Sequence, residues 1–544
     1  MHMVSLLSEP WMPVRCRDGS RMWIAPDRLS DPDLLAFDAD RPDFNGALAQ
    51  FAVGLLQSST PMNSETAWGK WFAEPPLANV LSEWFAPLAP AFELDGEGAR
   101  FMQDFSLTAE EGISNEISAL LIETPGENAL KNNSDHFIKR GRISAMCPHC
   151  AATALLTLQI NAPAGGVGNR TGLRGGGPLT TLVVSMSIDD TTRSLWHDLW
   201  LNVRDRSGFL SLCGDAGKSA LYFRFPWMND MSAIQKTGGE TTPVQVHPDQ
   251  VFWAMPRRIR LDFDTVCSGE CDVCGRASKR LIGRYLAKNY GFNYKGAWLH
   301  PFSPYYETKE EWLPLHPQPG GFGYRHWLGW VFGQSIGKKQ RRASVVEHAL
   351  AHRRGELRLW AFGYDMDKMK PRCWYEATMP LYGLADCDED AQQWVESQVE
   401  IWLAGADLAA FYLRSAVKDA WFGADARGDF SAIDAAFWNV TESAFYMQLQ
   451  EVIDLTRQGL EGDMLQVQQR WHQILMKTVA SLFDEVFVGA GQVERQKPQR
   501  VAMAYQQLNR NMRGPKMRQA LHLPSFVTDK PGKSSKKVAQ AAAI

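Results

Sequence analysis

After the acidic stretch Ala385-Asp-Cys-Asp-Glu-Asp390 the apolar residues fall into steps of three and four, and this periodicity constrains the fold more than any other feature. Val395, Val399, Trp402, Ala406, Ala409, Leu413 and Val417 line one face of a long helix between Ala391 and Phe422. A second such segment runs from Ser431 to Leu455. A third is marked by Met464, Val467, Trp471, Leu475, Val479 and Leu482. A fourth covers Arg495 to Met512 and ends before Gly514-Pro515. Four amphipathic helices on short turns bury their stripes most simply as an antiparallel four-helix bundle. The bundle is expected over 385–525. The Lys-, Ser- and Ala-rich tail over 526–544 has no apolar period and is expected to be disordered.

Residues 1–384 read differently. Short β-rich runs such as Leu179–Met186 alternate with helical stretches and long Gly/Pro-rich loops, and loops of that length more often bind than idle. The apolar run Gly46–Leu56 reads as a buried helix. The expected fold class is α+β, a large mixed α/β N-terminal domain over 1–384 followed by the bundle. At 544 residues the chain exceeds one ordinary core. No apolar run reaches the roughly 18 residues of a membrane span. The opening MHMVSLLSEPW has neither a basic nor an adequate apolar signal region, so a cytoplasmic protein without membrane contact is expected.

Residues 162–178, APAGGVGNRTGLRGGGP, hold seven glycines, two arginines and no acid. Glycine lets a backbone bend sharply and lie directly against a ligand, and Arg170 and Arg174 point to an anionic one. The competing reading is a long loop whose glycines only make turns. The formal net charge of −4 confines any nucleic-acid contact to local patches. Phe137–Arg142, Pro256–Arg260 and Gly275–Arg280 are such patches, and each reads equally as a solvated charged face.

Two CxxC pairs, Cys147-Pro-His-Cys150 and Cys271-Asp-Val-Cys274, have the spacing of knuckles that present thiolates to tetrahedral zinc. Joined, Cys147, Cys150, Cys271 and Cys274 would close a structural Cys₄ site that staples the segment before the glycine stretch to the segment near residue 270. His149 and Cys267 are alternative ligands, and a redox pair or unlinked core cysteines remain open. There is no GxxxxGK[ST], HExxH or GxSxG motif, and the glycine stretch does not match GxGxxG after a strand. His136 and His300 are lone histidines. No active site is apparent.

An ordered set of short motifs then carries a resemblance. It comprises Leu6-Leu-Ser-Glu-Pro-Trp-Met-Pro-Val14, Asp135-His-Phe-Ile-Lys139, the first cysteine pair and Gly172-Leu-Arg-Gly-Gly176. It continues with the second cysteine pair, Trp298-Leu-His-Pro-Phe-Ser-Pro304 and Gly363-Tyr-Asp-Met-Asp-Lys-Met-Lys370. Over nearly its full length the chain resembles the CasA family, the large subunit of the type I-E CRISPR surveillance complex Cascade. The resemblance implies a non-enzymatic subunit that recognises the protospacer-adjacent motif (PAM) of foreign double-stranded DNA. Such a subunit helps open the duplex and supports recruitment of a helicase-nuclease, while CRISPR RNA reads the target by pairing. Its partners would be the backbone and small subunits of the complex.

The resemblance also assigns residues. Gly165, Gly166, Val167, Gly168 and Asn169 would enter the minor groove, where readout is degenerate and width matters, with Arg170 on phosphate. Val167 interrupts the family's polyglycine run. Asp367, Lys368 and Met369 match a wedge hairpin, Lys368 standing where the family has an amide, and Met369 reads alternatively as core. Lys288 or Asn289 matches a DNA-contacting lysine. Asp135, His136, Phe137 and Lys139 match a loop that touches the guide RNA and the complex backbone. Two readings compete: a zinc-dependent nucleic-acid-processing enzyme, and an assembly module whose glycine stretch is a passive connector.

Overall fold

Helix Pro42–Ser59 (PDFNGALAQFAVGLLQSS) carries proline at its first turn and is apolar on every side, and it lies buried at the centre of the N-terminal unit. Gly46 and Gly54 make that burial tight. A Cβ on Gly46 would sit 2.7 Å from the Phe362 ring, and one on Gly54 would sit 3.0 Å from Phe252. Phe51 is the hub of an edge-on aromatic cluster with Trp11, Phe92, Phe101 and Trp253 at centroid separations of 5.1–5.9 Å. The buried indole N–H groups are satisfied, Trp11 by Leu6 O at 2.8 Å and Trp253 by Ser58 Oγ at 2.9 Å.

The structure, a computed structural model, describes residues 4–133, 135, 141–186, 193–214, 217–231, 239–335, 338–352, 356–367, 370–382, 384, 387–422, 427–459, 464–489 and 497–524. His136, Phe137, Lys139, Lys368, Met369 and the tail from 525 lie outside the described residues. The chain divides into two compact units, Met1–Asp388 and Glu389–Ile544.

Among the described residues the N-terminal unit carries small antiparallel sheets. Strands β1 (Met12–Cys16), β2 (Arg21–Ile24) and β3 (Leu34–Phe37) make one, ordered β2-β1-β3. Strand β4 (Ile113–Glu116) joins a later sheet, and β5 (Thr180–Met186) matches the β-rich run of the sequence. Strands β6 (Arg258–Leu261), β7 (Cys267–Glu270), β8 (Ala277–Leu281) and β9 (Arg284–Lys288) follow, in the sheets β4-β9-β6 and β7-β8. Strands β10 (Tyr305–Glu307), β11 (Trp312–Pro314), β12 (Gln334–Ser335) and β13 (Lys338–Arg341) form the sheet β11-β10-β13-β12.

The longest strands are β14 (Glu356–Asp367) and β15 (Lys370–Leu381). β14 is central in the sheet β15-β14-β5, with Leu359 opposite both Val183 and Met379. Burial on both faces explains its nearly continuous apolar core, Leu357 to Tyr364. Asp367 faces Lys370 across the β14–β15 pair.

The second unit is helical, with long helices Glu389–Trp421, Ser431–Arg457, Met464–Ser481 and Pro498–Met512. Every apolar position assigned to the first stripe, from Val395 to Val417, is buried. Trp471 Nε1 donates to Trp402 O at 3.0 Å, tying the third helix to the first. Gly514-Pro515 does not end the helical region, because proline is compatible with a first helical position and opens helix Pro515–Ala520. Leu521, just beyond that helix, packs directly onto Gly405, where a Cβ would collide with it. The fold class is therefore α+β, mixed in the N-terminal unit and helical in the C-terminal one. Among the described residues no helix is long and apolar enough to cross a membrane.

Candidate nucleic-acid interface and four-cysteine centre

Cys147, Cys150, Cys271 and Cys274 come together, their Sγ atoms all within 4.8 Å of one another, and Cys147 Sγ lies 3.8 Å from Cys274 Sγ. Tetrahedral zinc with Zn–S bonds of about 2.3 Å requires sulfurs about 3.8 Å apart, so the donor set fits a divalent ion and leaves no protein-free position for chemistry. Backbone N–H groups point at two of the sulfurs, Cys147 N at Cys271 Sγ (3.2 Å) and Cys150 N at Cys147 Sγ (3.5 Å). Hydrogen bonds shared among the four thiols, with burial, lower Cys271 and Cys274 and raise Cys147 and Cys150 from their ordinary value. Asp272 cross-links the knuckles by accepting from Ser144 N at 2.6 Å and Ala145 N at 2.9 Å. His149 and Cys267 are not part of the cluster. His149 faces Glu9 and Arg276 instead, and Cys267 is exposed on β7.

From this centre two elements run to the glycine stretch. Helix Pro148–Asn161 starts on Cys147 as its N-cap and ends where the stretch begins. Its 14 residues span about 21 Å at 1.5 Å each, so the cysteines do not grip the loop directly. The second pair leads through β8 and β9 to Lys288, Asn289 and Tyr290. There the two elements converge. Asn289 Nδ2 donates to Val167 O at 2.7 Å, and Tyr290 N donates to Gly168 O at 2.9 Å. Arg257 hydrogen-bonds Pro163 O, and its backbone exchanges two 2.9 Å bonds with the Gln159 side chain.

The seventeen-residue stretch splits in two. Its first half is presented outward: Gly166, Val167 and Asn169 are exposed, Val167 at 79%. Gly166 (φ +75°) and Gly168 (φ +79°) occupy the left-handed region, and Asn169 Nδ2 closes the turn on Gly165 O. Its second half is packed. A Cβ on Gly172 would lie 2.6 Å from Ile160 O, and one on Gly177 would lie 2.7 Å from Tyr364 O. Arg174 is a correction to the sequence reading. It is 4% exposed and donates to Gln50 Oε1 (2.5 Å), Thr180 Oγ1 (2.9 Å) and Ser303 Oγ (3.2 Å), so it pins the loop inward and meets no ligand. Burial lowers it to about 10, which leaves it charged at neutral pH.

Other sequence candidates are distributed as follows. Arg170 is half-buried with its guanidinium over the Tyr290 ring at 5.6 Å. Lys288 pairs with Glu111 at 3.1 Å. Asp367 is exposed at the end of β14, and Met366 beside it packs on Gly177, so the end of that strand touches the packed half of the stretch. Asp135 is half-buried. In the patch 256–260 Arg258 makes a fully buried 2.6 Å pair with Asp104, whereas in the patch 275–280 Lys279 is exposed and the half-buried Arg280 pairs with Asp95. His300 is buried and accepts from Phe302 N at 3.1 Å, a structural role. Sequence reasoning missed Tyr290 and placed Arg257 only in the basic patch 256–260, not as a brace of the glycine stretch. The signal was Gly291, which follows Asn289-Tyr290 and lies so close to Pro256 that no Cβ fits.

These features define a two-unit α+β protein that braces an outward main-chain loop between two elements rooted in one four-cysteine centre. Residues 5–482 match the family described as CRISPR-associated protein Cse1. The chain belongs to that family, also called CasA, the CRISPR-associated large subunit of type I-E Cascade. Among solved structures it is similar to Thermus thermophilus CasA (Cse1), with 16% identity over 94% of this chain and 99% of that one and a TM-score of 0.65. Thermobifida fusca Cse1 gives 14% identity over 96% and 99% and a TM-score of 0.67. A chain of a CRISPR RNA-guided surveillance complex gives 16% identity over 94% and 100% and a TM-score of 0.62.

Proposed function

We propose that this chain is the PAM-reading subunit of an RNA-guided Cascade complex and acts by binding and duplex opening, without covalent chemistry. The observation that carries this reading is the exposed turn 165–169, whose carbonyls at Val167 and Gly168 are tied to Asn289 and Tyr290. A stretch poor in side chains and already held in shape enters a narrow minor groove at little ordering cost. Arg170 and Lys288 flank it as phosphate contacts. Asp367, Lys368 and Met369 act as the wedge that unstacks the first base pairs, at a few kcal/mol per step offset by new contacts. Asp135, His136, Phe137 and Lys139 meet the guide RNA and the complex backbone. The other Cascade subunits and a helicase-nuclease are its protein partners, and the complex works in the cytoplasm.

The four cysteines hold structural zinc in this reading. When bound, zinc supplies a cross-link between the helix and the strands that carry the loop. The all-thiolate set speaks against the competing zinc-dependent enzyme, since hydrolytic zinc keeps an open position.

The test is capture of duplexes from a randomised PAM library by complex assembled with and without this chain. Selective capture only with the chain present supports the reading, and equal capture without it overturns the reading. Turnover of nucleic acid by the zinc-loaded chain alone would favour the enzyme.

A further inference from the structure

Tyr290 has a backbone that a bulky residue seldom adopts. Its φ is +66°, in the left-handed region that favours glycine and asparagine. Such strain persists only where surroundings over-determine it, and it gathers at functional positions. The surroundings here are named. Asn289 on one side bonds Val167 O, and Gly291 on the other is clamped against the Pro256 backbone. Held so, Tyr290 offers its N–H to Gly168 O at 2.9 Å and lays its ring beside Gly168, where a Cβ would approach the ring to 3.0 Å. The ring also lies under the Arg170 guanidinium at 5.6 Å. Arg170 has no carboxylate partner among the described residues, and its Nε is buried without a hydrogen bond. Both residues are half-buried overall and stand at the edge of the exposed turn.

We infer that Tyr290 is a positioning residue for nucleic-acid binding: its ring fixes the outward turn 165–169 and aims Arg170 at a DNA phosphate. This deepens the proposed function and rests on it. The backbone N–H alone would serve to close the loop, and glycine would supply it without strain. The aromatic ring at this conformation is what requires a role. A guanidinium stacked on a ring keeps its N–H edge free for a phosphate oxygen and loses little freedom on binding.

The test uses the full chain in assembled, guide-loaded complex and a labelled PAM-bearing duplex, with affinity measured over a range of salt. Y290F keeps the ring and is expected to bind within twofold of the unsubstituted chain. Y290G keeps the backbone conformation and removes the ring. It is expected to weaken capture at least tenfold and to reduce the salt slope by about one, as R170Q does. The double variant is expected to be no weaker than the weaker single one. Y290N, which also tolerates the left-handed region, carries the same expectation as Y290G and replaces it if assembly of Y290G fails. Retained capture by both, strict additivity with R170Q, or a tenfold loss in Y290F overturns the inference. G166W separates the two levels. If it abolishes capture while Y290G and Y290N retain it, the inference falls and the proposed function stands. If G166W captures within twofold, the proposed function falls.

Discussion

Tyr364 Oη donates to Asp43 Oδ2 at 2.7 Å, joining the long hairpin to the first turn of the central helix across 321 residues of sequence. Asp43 is also bound by Arg41, whose guanidinium reaches Glu123 at 2.6 Å. Paired carboxylates hold the Arg41 guanidinium above its ordinary value despite its burial. The chain Tyr364–Asp43–Arg41–Glu123 therefore ties the hairpin to the core near its turn end, three residues before Asp367.

Replacing Tyr364 by phenylalanine leaves Asp43 one donor short. A hydrogen bond to a charged group contributes about 1.5–3 kcal/mol, and a loss of that order is expected in urea unfolding of the N-terminal unit. Asp43→Asn is expected to cost more, since it also leaves Arg41 with Glu123 as its only carboxylate partner in this network. Hydrogen exchange in β14 and β15 is expected to rise in both variants.

Gly168→Ala tests the outward turn directly. The left-handed backbone disfavours alanine, and the added Cβ would lie 2.9 Å from Asn289 Cβ. Strain of about 1–3 kcal/mol is expected, with capture of PAM-bearing duplex reduced tenfold or more. The same strain is expected to appear as a small fall in Tm, because Gly168 is half-buried against Asn289 and Tyr290.

Cys271→Ser breaks the closed thiolate set. One zinc per chain is expected in the unsubstituted protein by elemental analysis, and less than a tenth of that in the variant. A clear fall in Tm is expected with it, because structural zinc contributes directly to folding. Full zinc content in the variant would show that three thiolates suffice.

His348 gives a pH dependence of definite sign. It is 5% exposed, both ring nitrogens lack partners among the described residues, and the His352 ring lies 4.1 Å away. Burial first, then the charge of His352 and of Arg204, lowers it to about 3, while Asp205 opposes the shift. The unfolded chain takes up this proton near pH 6.5 and the folded chain does not. Stability is therefore expected to fall as pH drops from about 6.5 toward 3, by about 1.4 kcal/mol per pH unit for this group. The slope of unfolding free energy against pH is expected to be shallower in His348→Gln, measured by denaturant titration between pH 4.5 and 7.

The sequence by itself determined the local repeats. Stripes such as Val395 to Val417 declared their helices, because helical burial repeats every three or four residues regardless of what covers it. The spacing within each CxxC pair declared a local turn that brings two thiols together, because three residues of chain span only one knuckle, and left open what the thiols do. What only the tertiary structure decided was the meeting of segments more than a hundred residues apart. No local period encodes that Arg174 turns inward to Gln50 while Arg170, four residues earlier, lies half-buried over the Tyr290 ring. Nor does any encode that one glycine stretch divides into a packed stem and a presented turn. Those outcomes depend on the space left by Ile160, Asn289, Tyr290 and Tyr364 once the cores have packed, and close packing is a property of the assembled fold.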